Sequence, residues 1–236
     1  MPAQGGHLRV RPHPRSPTRA TCSDTVAERA RIVTTAPSAS APTRRWRVID
    51  IVIASVLGVA LGLVFILWNA TSSPLRDAVG ALLPGLGALL AGIWLLPGVL
   101  GGLIVRKPGA ALFTELVAAT VSVIIVPNEW GWWTIEAGLV QGLGAELVFA
   151  LLLYRRWGLG AAVLAGVGAG VAMAINDLVV WYAAGLTPEF AIIYLVSSIV
   201  TGAVIAGLLS WLLVRALAAT GVLSRFAAGR ERAELV

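Results

Sequence analysis

The stretch VIDIVIASVLGVALGLVFILW, residues 48–68, decides the class of fold. Its only charged side chain is Asp50. As a helix it is about 31 Å long, the thickness of a bilayer's hydrocarbon core. The surrounding chain has the same character. Of its 236 residues, 58% are hydrophobic and 13% charged, where a soluble domain carries about a quarter charged. The pattern predicts an all-α polytopic membrane protein.

Working outward, apolar segments recur at 79–105, 109–126, 135–153, 159–184 and 190–214, which with 48–68 predicts a bundle of six transmembrane helices. Basic residues test this count. Arg44, Arg45 and Arg47 precede the first span. Arg106 and Lys107 separate the second from the third, and Arg155 with Arg156 the fourth from the fifth. Arg215, Arg225, Arg230 and Arg232 follow the sixth. The intervening loops 69–78, 127–134 and 185–189 hold only Arg76. Lys and Arg accumulate on the cytoplasmic side, so both termini are expected inside a bacterial cytoplasmic membrane.

Residues 1–47 carry nine arginines against Asp24 and Glu28. Residues 1–45 lack apolar periodicity and are rich in Arg, Pro, Ser and Thr, the composition of a disordered, basic cytoplasmic tail. The expected domain plan is this tail, a membrane domain over 46–218, and a short cytoplasmic tail over 219–236. Whether the first tail is translated in the native protein is a separate question, open to intact-mass measurement.

Several chemistries are excluded. His7, His13 and the single Cys22 all lie in the first tail, so no metal site and no Cys–His nucleophile is expected in the spans. There is no P-loop, no G-x-S-x-G and no H-E-x-x-H motif. An enzyme would be left with carboxylates alone, so a binding or transport role is expected, with no catalytic residues and no cofactor on this chain.

The acids within the apolar runs carry the functional reading. A charge in hydrocarbon costs at least about 2.5 kcal/mol, so each must face protein or water. Asp50 pairs readily with Arg47, three residues away. The stretch PNEWGWWTIEAGLVQGLGAE, 127–146, sets Trp132 and Trp133 beside Glu136 and Gln141 at the outer entry of the fourth span. Asn176, Asp177, Trp181 and Tyr182 lie at matching depth on the fifth. The aromatics form either an interfacial belt or the walls of a site for a flat, partly cationic ligand. These eight residues are the expected substrate-binding set. Glu115 and Glu146 lie in the inner half and are expected to serve helix packing or coupling. Ala54, Gly58 and Gly62 make a small-residue row on the first span, for packing within the chain or against a partner. A second row, Gly166, Gly170 and Ala174, runs along the fifth.

The motifs RKPGAALxxE at 106–115 and VQGLGAE at 140–146, with ATGVL at 219–223, resemble the YkoE-type family of thiamine/hydroxymethylpyrimidine permease components. The likeness extends over residues 45–226. It implies a six-helix substrate-binding S component of an energy-coupling factor transporter, an ABC-type vitamin importer. It implies a transmembrane coupling protein and two cytoplasmic ATPases as partners, which use ATP and magnesium, and a ligand that is thiamine or its hydroxymethylpyrimidine precursor. It also implies that Ala54, Gly58 and Gly62 touch the coupling protein. The other reading of the residues is a stand-alone carrier driven by an ion gradient through Asp177 or Glu115. Uptake by the purified chain without partners separates the two.

Overall fold

The computed structural model describes residues 45–221, and among these it is all helix and turn. Six long helical segments follow one another among the described residues: α1, Val48–Leu82; α2, Leu86–Val105; α3, Ala110–Ile125; α4, Trp133–Leu151; α5, Leu159–Val180; and α6, Pro188–Ala219, with a single 3₁₀ turn, Ala183–Gly185, between the last two. Five are long and apolar enough to cross a membrane, and α3, with 16 residues, is shorter. The tail expected over 1–45 falls, apart from Arg45, outside the described residues, as does the end of the second tail after Gly221.

Helix α2 is the axis of the bundle. Every residue of its Leu96–Val105 half is buried. Helices α1, α3, α4, α5 and α6 pack in that order around it, each against the next. The outer row of α1, Val52, Val56, Val59, Leu63 and Leu67, is exposed, as lipid contact requires. The loops at one end of the bundle carry Arg106, Lys107, Arg155 and Arg156. At the opposite end the loop before α4 carries Glu129, and Glu189 lies in the first turn of α6.

The loop expected over 69–78 does not form. Helix α1 continues through Pro74 for 35 residues, about 52 Å, well beyond the hydrocarbon thickness. The polar run that suggested a loop is instead the part of a helix that has left the apolar layer, where apolar side chains are no longer needed. Extended Leu83 ends it, and Gly85, at φ 92°, turns the chain back. A Cβ on Gly85 would lie 3.0 Å from both the Phe190 carbonyl oxygen and the Tyr194 nitrogen, so neither the dihedral nor the space admits a side chain. The second span therefore starts at Leu86 rather than at 79. It begins as a 3₁₀ helix over Leu86–Leu95 and becomes α-helical at Leu96.

The small-residue row of α1 is spent inside the molecule. Ala54, Gly58 and Gly62 are buried, and a Cβ at Gly58 would sit 2.6 Å from Val117 Cβ on α3. Of the two readings of this row, packing within the chain is the one seen among the described residues, where Gly58 and Gly62 meet α3. The α5 row is used in the same way. A Cβ on Gly166 would come within 2.1 Å of the Gly202 carbonyl oxygen, so α5 and α6 touch backbone to backbone. Across that contact α6 widens into a π-helical segment, Gly202–Leu209.

At the basic end, polar groups bind the elements together. Asp50 accepts from the Arg47 backbone N–H at 2.8 Å and lies 2.7 Å from Lys107 Nζ, with both side chains buried. Lys107 also donates to the Arg45 carbonyl. Trp46 Nε1 donates to the Pro108 carbonyl at 2.8 Å. Glu146 holds the start of α3, accepting from the N–H groups of Gly109 at 2.7 Å and Ala111 at 2.9 Å and from the Tyr154 hydroxyl at 2.7 Å. A carboxylate there meets the free amides and positive end of the helix dipole.

Candidate functional site

A cavity of about 350 Å³ opens at the end opposite the basic loops. All six helices reach it. Glu115 from α3, Gln141 from α4 and Met173 from α5 lie deepest, judged by their distance along each helix from the mouth. Aromatic rings form much of the wall, among them Phe65, Trp94, Trp133 and Tyr194, and Arg76, Asn128 and Trp130 border it toward the mouth. Apolar walls with a few convergent polar groups are the usual make-up of a small-molecule site.

The deep end is built by a change of helix type. Where α2 passes from 3₁₀ to α geometry, Pro97 has no N–H, and the next amide, Gly98, turns sideways to donate to Glu115 Oε2 at 2.7 Å. A Cβ on Gly98 would stand 3.0 Å from that oxygen. The other oxygen, Oε1, is buried and has no hydrogen-bond partner. An unmet buried acceptor is costly, so a donor placed at Oε1 would be favoured.

One wall is aromatic and acidic. Tyr194 donates its hydroxyl to Asp177 Oδ2 at 2.6 Å. The Tyr194 ring lies 5.3 Å from Tyr182 and 5.7 Å from Phe190, centroid to centroid. Trp133 meets Trp181 edge to face at 6.1 Å. Burial, with the Asp177 carboxylate nearby, pushes the Tyr182 phenol above its ordinary value, so it stays a neutral hydroxyl.

At the mouth, Asn69 and Arg76 from the extension of α1 border the opening. The Arg76 guanidinium lies 5.3 Å from the Trp94 ring centroid and 5.0 Å from that of Trp130, and it pairs with Glu129 at 3.1 Å. Asn128 Oδ1 accepts from the backbone N–H groups of Trp130 and Gly131 and from the Thr134 hydroxyl, at 3.0 to 3.1 Å. One asparagine thus shapes the turn that leads into α4. Trp94 Nε1 donates to Asn69 Oδ1 at 2.9 Å, tying α2 to α1.

Of the eight expected binding residues, the fold brings Trp133, Gln141, Asp177, Trp181 and Tyr182 to the cavity. Trp132 is 73% exposed and stands apart. Glu136 and Asn176 lie outside the lining and bond to each other, Asn176 Nδ2 to Glu136 Oε2 at 3.2 Å. Of the adjacent pair on α5, it is Asp177 that faces the cavity. Glu115, expected far from any outer site, borders it, because the cavity runs deeper than the outer half. Arg76, Trp94 and Asn128 were missed. Arg76 had one legible signal, as the lone basic residue in its set of loops.

Comparison with known proteins follows the same lines. A family profile described as "ABC-type cobalt transport system, permease component" matches residues 49–172. The chain is 38% identical over 188 residues to the HMP/thiamine permease protein YkoE assigned in Bacillus subtilis (strain 168), a match covering 80% of this chain and 92% of that protein. It is also similar to a solved structure described as "Crystal structure of an S-component of ECF transporter", with a TM-score of 0.74, 36% identity, and coverage of 80% of this chain and 94% of that one.

Proposed function

Because the chain belongs to the YkoE-type family of permease components, the S components of energy-coupling factor transporters, we propose that it captures thiamine or hydroxymethylpyrimidine from the outer side of a bacterial cytoplasmic membrane. It is a multi-pass, non-enzymatic transport subunit that acts with further transporter components on a small molecule. The finer assignment makes those components a transmembrane coupling protein and two ATPases, with both termini of this chain cytoplasmic.

One observation carries the choice of ligand class. The cavity joins aromatic faces to two acids, Glu115 and Asp177, and one Glu115 oxygen is unclaimed. An aminopyrimidine presents an exocyclic amine and ring nitrogens along one edge, which a carboxyl group meets with paired hydrogen bonds. A thiazolium presents a permanent cation, favoured by aromatic faces and by an acid. The basic loops at the opposite end support the proposed orientation through the excess of Lys and Arg on cytoplasmic faces.

The test is titration of the purified chain with thiamine and with hydroxymethylpyrimidine, by calorimetry and by tryptophan fluorescence. Saturable one-to-one binding of either is expected. Silence toward both, in folded protein, would overturn the ligand assignment. Gradient-driven uptake by liposomes holding this chain alone would overturn the dependence on ATPase partners.

A further inference from the structure

Three residues around the cavity each keep a buried polar atom without a hydrogen-bond partner: Glu115 Oε1, Arg76 Nε and Asn128 Nδ2. The first is an acceptor and lies at the deep end. The other two are donors and lie together at the mouth. Both meet Trp130, Arg76 across its ring and Asn128 at its backbone N–H. Each of the three side chains is also engaged through another polar atom. Arg76 Nη2 serves Ser73 and Glu129, and Asn128 Oδ1 takes three donors from the turn. Glu115 Oε2 is held by Gly98. The unclaimed atoms therefore belong to side chains whose positions are fixed through their other ends, which is how a preorganised binding group is held.

From this arrangement we infer that the site fixes the direction of its ligand: Glu115 takes a hydrogen-bond donor at the inner end, and Arg76 with Asn128 hold an acceptor, a primary alcohol, at the outer end. The inference rests on the proposed capture of a pyrimidine vitamin and assigns two specificity-determining residues to it. Helix α4 provides the scale. Thr134 bonds Asn128, and Gly142 abuts Glu115. These two levels are eight residues apart, about 12 Å along the helix axis. A single pyrimidine bearing a hydroxymethyl arm has its amine and alcohol on neighbouring carbons and falls well short of that span. Two rings joined by a methylene, with a hydroxyethyl arm at the far end, approach it. Asp177, one turn below Trp181 on α5, borders the stretch between and suits the cationic second ring.

The charge at the mouth adds direction. Arg76 already covers the faces of Trp94 and Trp130 with its own guanidinium, so those faces are closed to a ligand cation. A thiazolium is directed inward toward Asp177, leaving its hydroxyethyl arm outward.

The experiment compares thiamine, its deoxy analogue with the alcohol replaced by hydrogen, and hydroxymethylpyrimidine. Each is titrated calorimetrically against the full chain in detergent, as wild type, Asn128→Asp and Arg76→Met, with thermal unfolding as the check on folding. Asn128→Asp keeps the oxygen that shapes the turn and exchanges the unclaimed donor for an acceptor. Its added charge acts equally on the two thiazolium ligands and cancels in their ratio. The wild type is expected to bind thiamine about tenfold more tightly than the deoxy analogue, and more tightly than hydroxymethylpyrimidine. In Arg76→Met the thiamine-to-deoxy ratio is expected to fall toward one; in Asn128→Asp donation to the alcohol oxygen is lost, while the new carboxylate can accept from the alcohol O–H. A wild-type ratio near one, or a ratio that persists in Arg76→Met, overturns the inference while leaving vitamin capture intact. Absence of binding by the wild type to all three ligands overturns the proposed function and this inference with it.

Discussion

Glu115 and Glu146 close two of the sequence motifs of this protein and are hydrogen-bonded to different extents. Both are buried, at 1% and 9% exposure, so burial does not distinguish them. Glu146, toward the basic end, has both oxygens engaged by backbone amides at the start of α3, with the Tyr154 hydroxyl added. Glu115, at the cavity floor, is held by the one amide of Gly98 and keeps an oxygen unclaimed. A carboxylate whose hydrogen bonds are all made within the chain serves the fold. One that is anchored at a single oxygen is available to a ligand.

That contrast can be broken at either end. The largest expected effect is on stability. Lys107→Met strips Asp50 of its buried cation and is expected to cost about 3–5 kcal/mol, read as a lowered unfolding temperature in detergent, with the ligand affinity of the remaining folded protein unchanged. Glu146→Ala leaves buried amides of α3 unmet and is expected to cost about 2–4 kcal/mol. An unchanged unfolding temperature would show that the α3 cap is dispensable. Glu115→Gln should do the reverse. Its unfolding temperature should stay near that of the wild type while affinity falls by about 1.5–3 kcal/mol, more than tenfold. Calorimetry on both proteins checks this, and equal loss of stability and affinity would erase the distinction drawn here. The smallest effect is expected from Glu136→Gln, which alters a side chain bonded to Asn176 outside the lining. Affinity within about threefold of wild type is expected there, and a larger loss would move Glu136 into the site.

Much of the fold is legible in the sequence because hydropathy and basic loops report the membrane directly. Six apolar runs became six helices. The exception, 69–85, shows the limit of that signal: a helix outside the hydrocarbon need not be apolar, so the TSSPLRD run at 71–77 reads as a loop. The glycine rows were legible as close contacts, but not their partners. Whether Gly58 faces α3 or another protein depends on how the bundle closes, and no local pattern in α1 records that.

The site was legible in part for a related reason. Counting residues along a span gives the depth of a side chain but not the depth of a cavity. Asp177, Trp133, Trp181 and Tyr182, legible as a cluster near the mouth, do line the cavity. Counting along α3 gives the depth of Glu115, but only the fold shows that the cavity reaches that depth. Arg76 and Trp94 needed tertiary information, since the extension of α1 had to be seen bordering the opening before a lone arginine and an interior tryptophan became neighbours.

The unequal lengths of neighbouring helices have a consequence for the membrane itself. Helix α1, at 35 residues, lies against α3, at 16. At about 52 Å and 24 Å these cannot both match one slab of about 30 Å. Around the ends of α3 the lipid must thin, while α1 tilts or projects beyond the slab, at a cost of fractions of a kcal/mol for each ångström of mismatch. The protein thus carries a built-in preference for bilayer thickness, and the acyl-chain length of the lipids chosen for reconstitution becomes a variable in its behaviour.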